Sequence, residues 1–325
     1  KKMASENAKT NYYISSLLRK LRSSSASSVQ KALISLSRAT RKLDNVVKLR
    51  EERGIDQLLT FLQSSNKKAL DMAVSVLANC ALEKQSRREI KRLNGLPLLC
   101  NLLASLADTS ILSRVARALA NLSQDEAILV EITNHNAVTK LVEIVEESGD
   151  EYLLQSTLRA LRIMSKSYAC TNVLAQDNRI RSFVEFLHKE NSNEIKRCCF
   201  RTLFELTKAC NGVLASHIQE NGVIQVACQF SYSDDEEIEQ HCINILCTLT
   251  EYATVRVSVG TSGGIEAFLH QIRARGPLLF SSIKGVCRCC REAVNRNKVR
   301  SCGGLEVLLD ILRCPEYSKA FDDIL

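Results

Sequence analysis

The chain has no tryptophan and only three prolines (Pro97, Pro277 and Pro315), and aromatic residues make up 5% of its 325 positions. A repeat protein that reads single-stranded RNA stacks bases on aromatic or arginine planes, so the scarcity of rings counts against that class. Sparse proline leaves long helical patterns uninterrupted. There is no run of 18 apolar residues and no leader with an apolar centre and a small-residue cleavage site, so neither a spanning helix nor a secretory signal is expected. A cytoplasmic and nuclear location is the expectation. Also missing are a glycine-rich phosphate loop and any nucleophile beside a base. The five histidines (His135, His188, His217, His241 and His270) are scattered without a shared pattern. Catalysis and a cofactor are therefore not expected.

Cysteine, by contrast, is plentiful. Fourteen occur, mostly on apolar helical faces, and reduced, buried thiols are expected. Cys287, Cys289 and Cys290, with Cys302 nearby, form the one cluster resembling a metal site. Cys287 and Cys290 share a helical face while Cys289 points elsewhere, and no histidine is near, so the pattern falls short of a four-ligand zinc site. The formal charge of +8 favours acidic partners without naming one.

What dominates the sequence is a glycine-led signature. Gly54-Ile55-Asp56-Gln57-Leu58-Leu59 returns at Gly95, Ala137, Gly222, Gly264 and Gly304, with a weaker copy at Arg179. Starts at 54, 95, 137, 179, 222, 264 and 304 are 40 to 43 residues apart. A second marker, Ala78-Asn79-Cys80 and Ala120-Asn121-Leu122, travels with it. A helical repeat of this period predicts an all-α solenoid of the armadillo or HEAT kind. Residues 1–10 read as a frayed, tag-like leader and 11–53 as an N-terminal cap or degenerate repeat. Residues 54–303 then hold six repeats, and 304–325 a truncated seventh. Tyr13, Leu17, Leu18 and Leu21 mark an amphipathic helix capping the first repeat, and Ser23–Ser28 reads as a loop. The sequence stops 21 residues after Gly304, so helices covering Leu305, Leu308, Leu309 and Leu312 are expected to lie beyond it.

Periodicity also assigns faces. Val115, Ala118, Leu119 and Leu122 form a core stripe, as do Thr157, Ala160, Leu161, Met164 and then Cys199, Thr202, Leu203, Leu206. Arg114, Arg117 and Asn121 fall on another face. Repeat stacking aligns Ser75, Arg117, Arg159, Arg201, Asn244 and Lys284 in one ladder, and Asn79, Asn121, Ile163, Glu205, Thr248 and Arg288 in another. Arginine forks hold carboxylates and phosphates at two points. The groove expected to bind an acidic or phosphorylated segment is therefore Arg117, Arg159 and Arg201, flanked by Asn79, Asn121, Asn244, Lys284 and Arg288. A solvated face with chance arginines is the plainer alternative. The run Asp234–Glu239 reads as a helix start stabilised by the helix dipole, and as a candidate end to the cationic strip.

The paired glycine and Ala-Leu-x-Asn-Leu markers resemble the armadillo repeat family over about residues 12–325. That resemblance implies three helices per repeat and a right-handed superhelix whose last helices line a concave groove. Import receptors of the family read basic signals with a Trp and an Asn one turn apart. Here the Trp position carries Ser75, Arg117, Arg159, Arg201, Asn244 and Lys284, which disfavours that role. Two segments, Val76–Gly95 and the Val286-Cys287-Arg288-Cys289-Cys290-Arg291-Glu292-Ala293-Val294-Asn295-Arg296 string, resemble the family of armadillo-repeat-containing protein five. This resemblance implies a substrate-recruiting part of a cullin-3 ubiquitin ligase adaptor acting on the largest subunit of RNA polymerase II. Cullin-3 would be held by a BTB domain outside this sequence, and the parent protein would form a homodimer. A generic armadillo scaffold or transport adaptor is the rival reading.

Overall fold

The computed structural model describes residues 12–176 and 179–324, and every regular element among them is helical. The expected leader at residues 1–10 lies outside the described residues. The chain divides into two compact units, Lys1–Val173 and Leu174–Leu325.

In the first unit a helix over residues 12–20 precedes Ala26–Ala39 (α1). Three helical triplets follow. The first is Leu43–Glu51, Gly54–Thr60 with a 3-10 turn, and Lys67–Cys80 (α2). The second is Lys84–Arg92, Gly95–Ser105 and Thr109–Leu122 (α3). The third is Glu126–Asn134, Ala137–Glu147 and Glu151–Met164 (α4). In the second unit, Arg179–His188 leads into Asn193–Lys208 (α5). Then come Gly212–Glu220, Val223–Phe230 and Glu236–Leu249 (α6), followed by Ala253–Thr261, Gly264–Ala274 and Leu279–Cys289 (α7). Ala293–Ser301 and Gly304–Leu312 close the order, with the short elements Pro315–Ala320 and Phe321–Ile324 packed against them.

Local chemistry starts the long helices α1 to α6, whereas α7 has no side-chain cap. The side chains of Ser25, Asn66, Asp108, Asp150, Ser192 and Asp235 accept from backbone N–H groups of α1 to α6 in turn. Each such cap contributes about 1 kcal/mol. The serine loop thus ends at Ser25, earlier than its composition suggests, because a serine oxygen there serves the Ser28 N–H better than water does.

The signature glycines are not the residues with positive φ. That conformation falls one position earlier, on Arg53, Asn94, Asn136, Gly263 and Gly303, while Gly222 adopts it itself. Gly54, Gly95, Gly264 and Gly304 instead begin a helix pressed against the preceding one. A Cβ on Gly95 would sit 2.8 Å from Ile90 Cγ2, 2.9 Å from Leu59 Cδ2 and 3.0 Å from Ile90 O. Close approach of two helices, rather than freedom of φ, therefore selects the residue. The asparagines before two of these starts tolerate the left-handed region better than most side chains.

Core stripes follow the periodicity: all twelve residues assigned to them are buried. Leu17, Leu18 and Leu21 are buried with Ile14, and Leu18 packs beside Gly54, so the helix at 12–20 covers the first triplet. Tyr13 does not join them and is 48% exposed. At the other end Leu308 is buried while Leu305 and Leu309 are half exposed.

Polar clamps seal the turns between triplets. Arg87 donates to Ala81 O (3.0 Å) and Leu82 O (3.1 Å), and Arg256 to Thr250 O (2.8 Å) and Glu251 O (3.0 Å). Each satisfies carbonyls left over at the end of a long helix. Arg50 forks onto Glu83 through two 3.1 Å bonds, tying one triplet to the next. Burial opposes ionisation of Glu83, but the bonds from Arg50 and Ser86 outweigh it and hold its pKa below the usual carboxylate range.

Substituting Gly95→Ala is expected to cost about 1–3 kcal/mol by overpacking. Urea denaturation would show this as a lower midpoint at unchanged slope. An unchanged midpoint would mean the helices there are not in tight contact.

Candidate protein-interaction surface

Long helices one triplet apart lie side by side, α1 on α2, α2 on α3 and α3 on α4 in the first unit. Side chains at equivalent positions therefore meet, and each polar group there either bonds the neighbouring helix or faces solvent. Asn79 takes the first course. Its Nδ2 donates to Ser37 O (3.1 Å) and Thr40 Oγ1 (3.0 Å) of the α1 end. Asn121 does so more completely: it is 3% exposed, and its Nδ2 donates to Ala78 O at 2.8 Å. Periodicity places Asn121 on the open face. The structure corrects this, because the amide is drawn into the α2–α3 seam by its bond to the Ala78 carbonyl.

The arginines divide differently. Arg117 is half-buried on α3, and its Nη2 reaches Ser75 O and Oγ (3.4 Å each) and Asn79 Oδ1 (3.5 Å). Its Nε is shielded from solvent with no hydrogen-bond partner among the described residues. The pKa of Arg117 is lowered, first by burial; Tyr152 acts against this, and the positive charges of Arg114, Arg159 and Arg41 reinforce it. Arg114, one turn earlier, is ion-paired with Asp71. Arg159, on α4, is exposed and has no ion pair or hydrogen bond among the described residues. The ladder spacing does not single out Arg41 and Tyr152, because one lies in the turn after α1 and the other sits two turns before Arg159.

In the second unit the arginines of α5 already meet carboxylates. Arg201 on α5 is ion-paired with Glu237 of α6, and Arg197 with Asp235 (2.8 Å). The bond from Arg197 is the main cause of the lowered Asp235 pKa. The acidic run thus neutralises these two arginines in place. Arg288 on α7 pairs with Glu251 (3.0 Å) and donates to Cys247 O (3.3 Å). Asn244 is half-buried and its backbone carbonyl accepts from Thr248 Oγ1 (2.8 Å), while Lys284 is exposed. Of the four clustered cysteines, Cys289 is buried, and burial pushes its thiol up to about 12.

The ARMC5 family model matches residues 68–325, which is most of the chain. The chain belongs to the ARMC5 family of armadillo repeat proteins. Armadillo repeat-containing protein 5 from Mus musculus is 44% identical over 52 residues, a match spanning 16% of this chain and 6% of that relative. The fold of this ARMC5-family chain recurs in solved armadillo solenoids. An engineered protein aligns with TM-score 0.85 at 18% identity, covering 96% of this chain and 78% of the other. A structure concerned with a phosphorylation switch between cadherin and β-catenin aligns with TM-score 0.77 at 17% identity, covering 97% and 59%. A designed armadillo repeat protein in complex with the peptide (KR)4 aligns with TM-score 0.67 at 17% identity, covering 72% and 98%.

The ARMC5-type repeats thus carry structural and accessible polar residues on the same helices, and stability measurements separate them. Asn121→Ala leaves Ala78 O without its partner and is expected to cost about 1–3 kcal/mol. Arg159→Glu, at an exposed position, is expected to stay within about 0.5 kcal/mol of wild type. Equal losses in chemical denaturation would contradict this division.

Proposed function

We infer that this chain is the substrate-recruiting part of a cullin-3 ubiquitin ligase adaptor. It would hold an acidic segment of the largest subunit of RNA polymerase II on the open face of α3 and α4. Membership of the ARMC5 family carries this reading, since armadillo repeats are scaffolds for protein recognition. Positive charge without a carboxylate partner among the described residues, at half-buried Arg117 and exposed Arg159, supports an acidic ligand, because guanidinium forks hold carboxylates at two points. Arg201 and Arg288 contribute less in this reading than the spacing suggested, since each already has a carboxylate. Attachment to cullin-3 through a BTB domain, pairing with a second copy, and action in nucleus and cytoplasm belong to the same proposal.

Affinity capture from nuclear extract tests it, with wild-type chain beside a folded Arg117→Gln, Arg159→Glu variant. The expected outcome is retention of the polymerase subunit by wild type and its loss by the variant, with wild-type retention falling as salt screens the exposed charges. Retention by neither would contradict the adaptor reading. Equal retention by both would contradict the assignment to α3 and α4.

A further inference from the structure

Positive charge on the first unit converges on one place. Asn79 ties α2 to Ser37 and Thr40, which brings the adjoining Arg41 to the edge where Arg117 contacts Asn79 and Ser75. Arg114 lies one turn from Arg117 on α3, and Arg159 projects from the neighbouring α4. Tyr152, 61% exposed, stands two turns before Arg159 on the same side of α4. Within this group the ion pair among the described residues is Arg114 with Asp71. The guanidinium groups of Arg41, Arg117 and Arg159 have no ion pair among the described residues.

A single carboxylate supplies one negative charge in one plane. A phosphomonoester carries about −1.5 to −2 at neutral pH with three strong acceptor oxygens in a tetrahedral array. That geometry serves guanidinium groups arriving from two helices at once, and the charge offsets more than one of them. Like-charged groups held together by the fold raise one another's energy, and a dianion relieves this where a neutral peptide does not. The geometry points to this cluster as a site for a phosphorylated side chain of a partner protein, seated on Arg117 and Arg159 with Arg41 at its rim. The inference rests on the reading of this face as an acidic-segment surface and narrows it to one phosphoryl position. Tyr152 offers a ring beside that position for the residue next to the phosphate. The corresponding arginine in the second unit, Arg201, is excluded because Glu237 already fills the role.

Arginine side-chain N–H resonances of the 325-residue chain give the direct test, with the Arg117 Nε–H signal assigned by its loss in Arg117→Lys. The probes are acetyl-Ala-Ala-phosphoserine-Ala-Ala-amide, its aspartate twin, inorganic phosphate and a single-stranded oligouridylate. The phosphoserine peptide is expected to shift the Arg117 signal and to bind about ten-fold tighter than the aspartate twin, the ratio that about 1.4 kcal/mol gives. Arg159→Gln, at an exposed position that leaves the fold intact, is expected to weaken it by about the same factor, and Arg201→Gln to leave it unchanged. Equal binding of the aspartate twin would overturn the phosphoryl site while leaving the acidic-segment reading in place. No shift with either peptide would overturn both. Inorganic phosphate binding as tightly as the peptide would assign the site to the free ion and overturn a protein ligand. Tighter binding of a single-stranded oligouridylate would assign it to RNA, with the same consequence.

Discussion

The side-by-side packing of long helices from successive triplets is the constraint on which the rest depends. It forces residues about 42 positions apart into contact, so the edge of each helix meets the edge of the next. Polar groups caught in that seam lose water, and an unpaired one costs about 1–3 kcal/mol. Asn79 and Asn121 resolve this by donating to carbonyls of the preceding long helix. Arg288 does the same to Cys247 O in the second unit, so an arginine can replace asparagine in that role. The caps and the Arg87 and Arg256 clamps satisfy the helix ends, and the helices can then be short, numerous and closely stacked.

The proposed binding surface follows from what the seams leave over. In the second unit the acidic start of α6 reaches back to Arg197 and Arg201, and Glu251 meets Arg288. In the first unit Asp71 answers Arg114, but Arg117 and Arg159 have no carboxylate among the described residues. A uniform row of arginines in the sequence therefore becomes an uneven field in the structure. Exposed pairs contribute little to stability, about 0–1 kcal/mol, so their main consequence is to decide which arginines remain to meet a ligand.

Much of this was legible in the sequence. The glycine period set the helix starts, and the 3.6-residue stripes identified core positions such as Val115, Leu161 and Leu203 without exception. The paired glycines Gly263-Gly264 and Gly303-Gly304 read as turns with positive φ, and Gly263 and Gly303 adopt it. The reason for the glycine that starts each helix was not legible, since Gly54, Gly95, Gly264 and Gly304 are set by contact with Leu49, Ile90, Val259 and Val299. Helix caps at Asn66, Asp108 and Asp150 carried a readable signal, each an oxygen-bearing side chain just before an apolar-periodic run. The candidate surface was only half readable. Spacing put Arg117, Asn121 and Arg201 on one kind of face, but spacing is blind to angular detail within a face and to partners on the next helix. Asn121 rotated into the seam, and Arg201 found Glu237.

The central claim is that charge balance, rather than the ladder position itself, decides where this chain meets an acidic partner. Titration of an oligoglutamate peptide into Arg159→Glu, Arg201→Glu and Glu237→Gln forms of the chain tests it most directly. The account predicts that Arg159→Glu weakens binding several-fold and Arg201→Glu has little effect. Glu237→Gln, which removes the carboxylate from Arg201, should strengthen binding. Equal weakening by Arg159→Glu and Arg201→Glu, with no gain from Glu237→Gln, would contradict it.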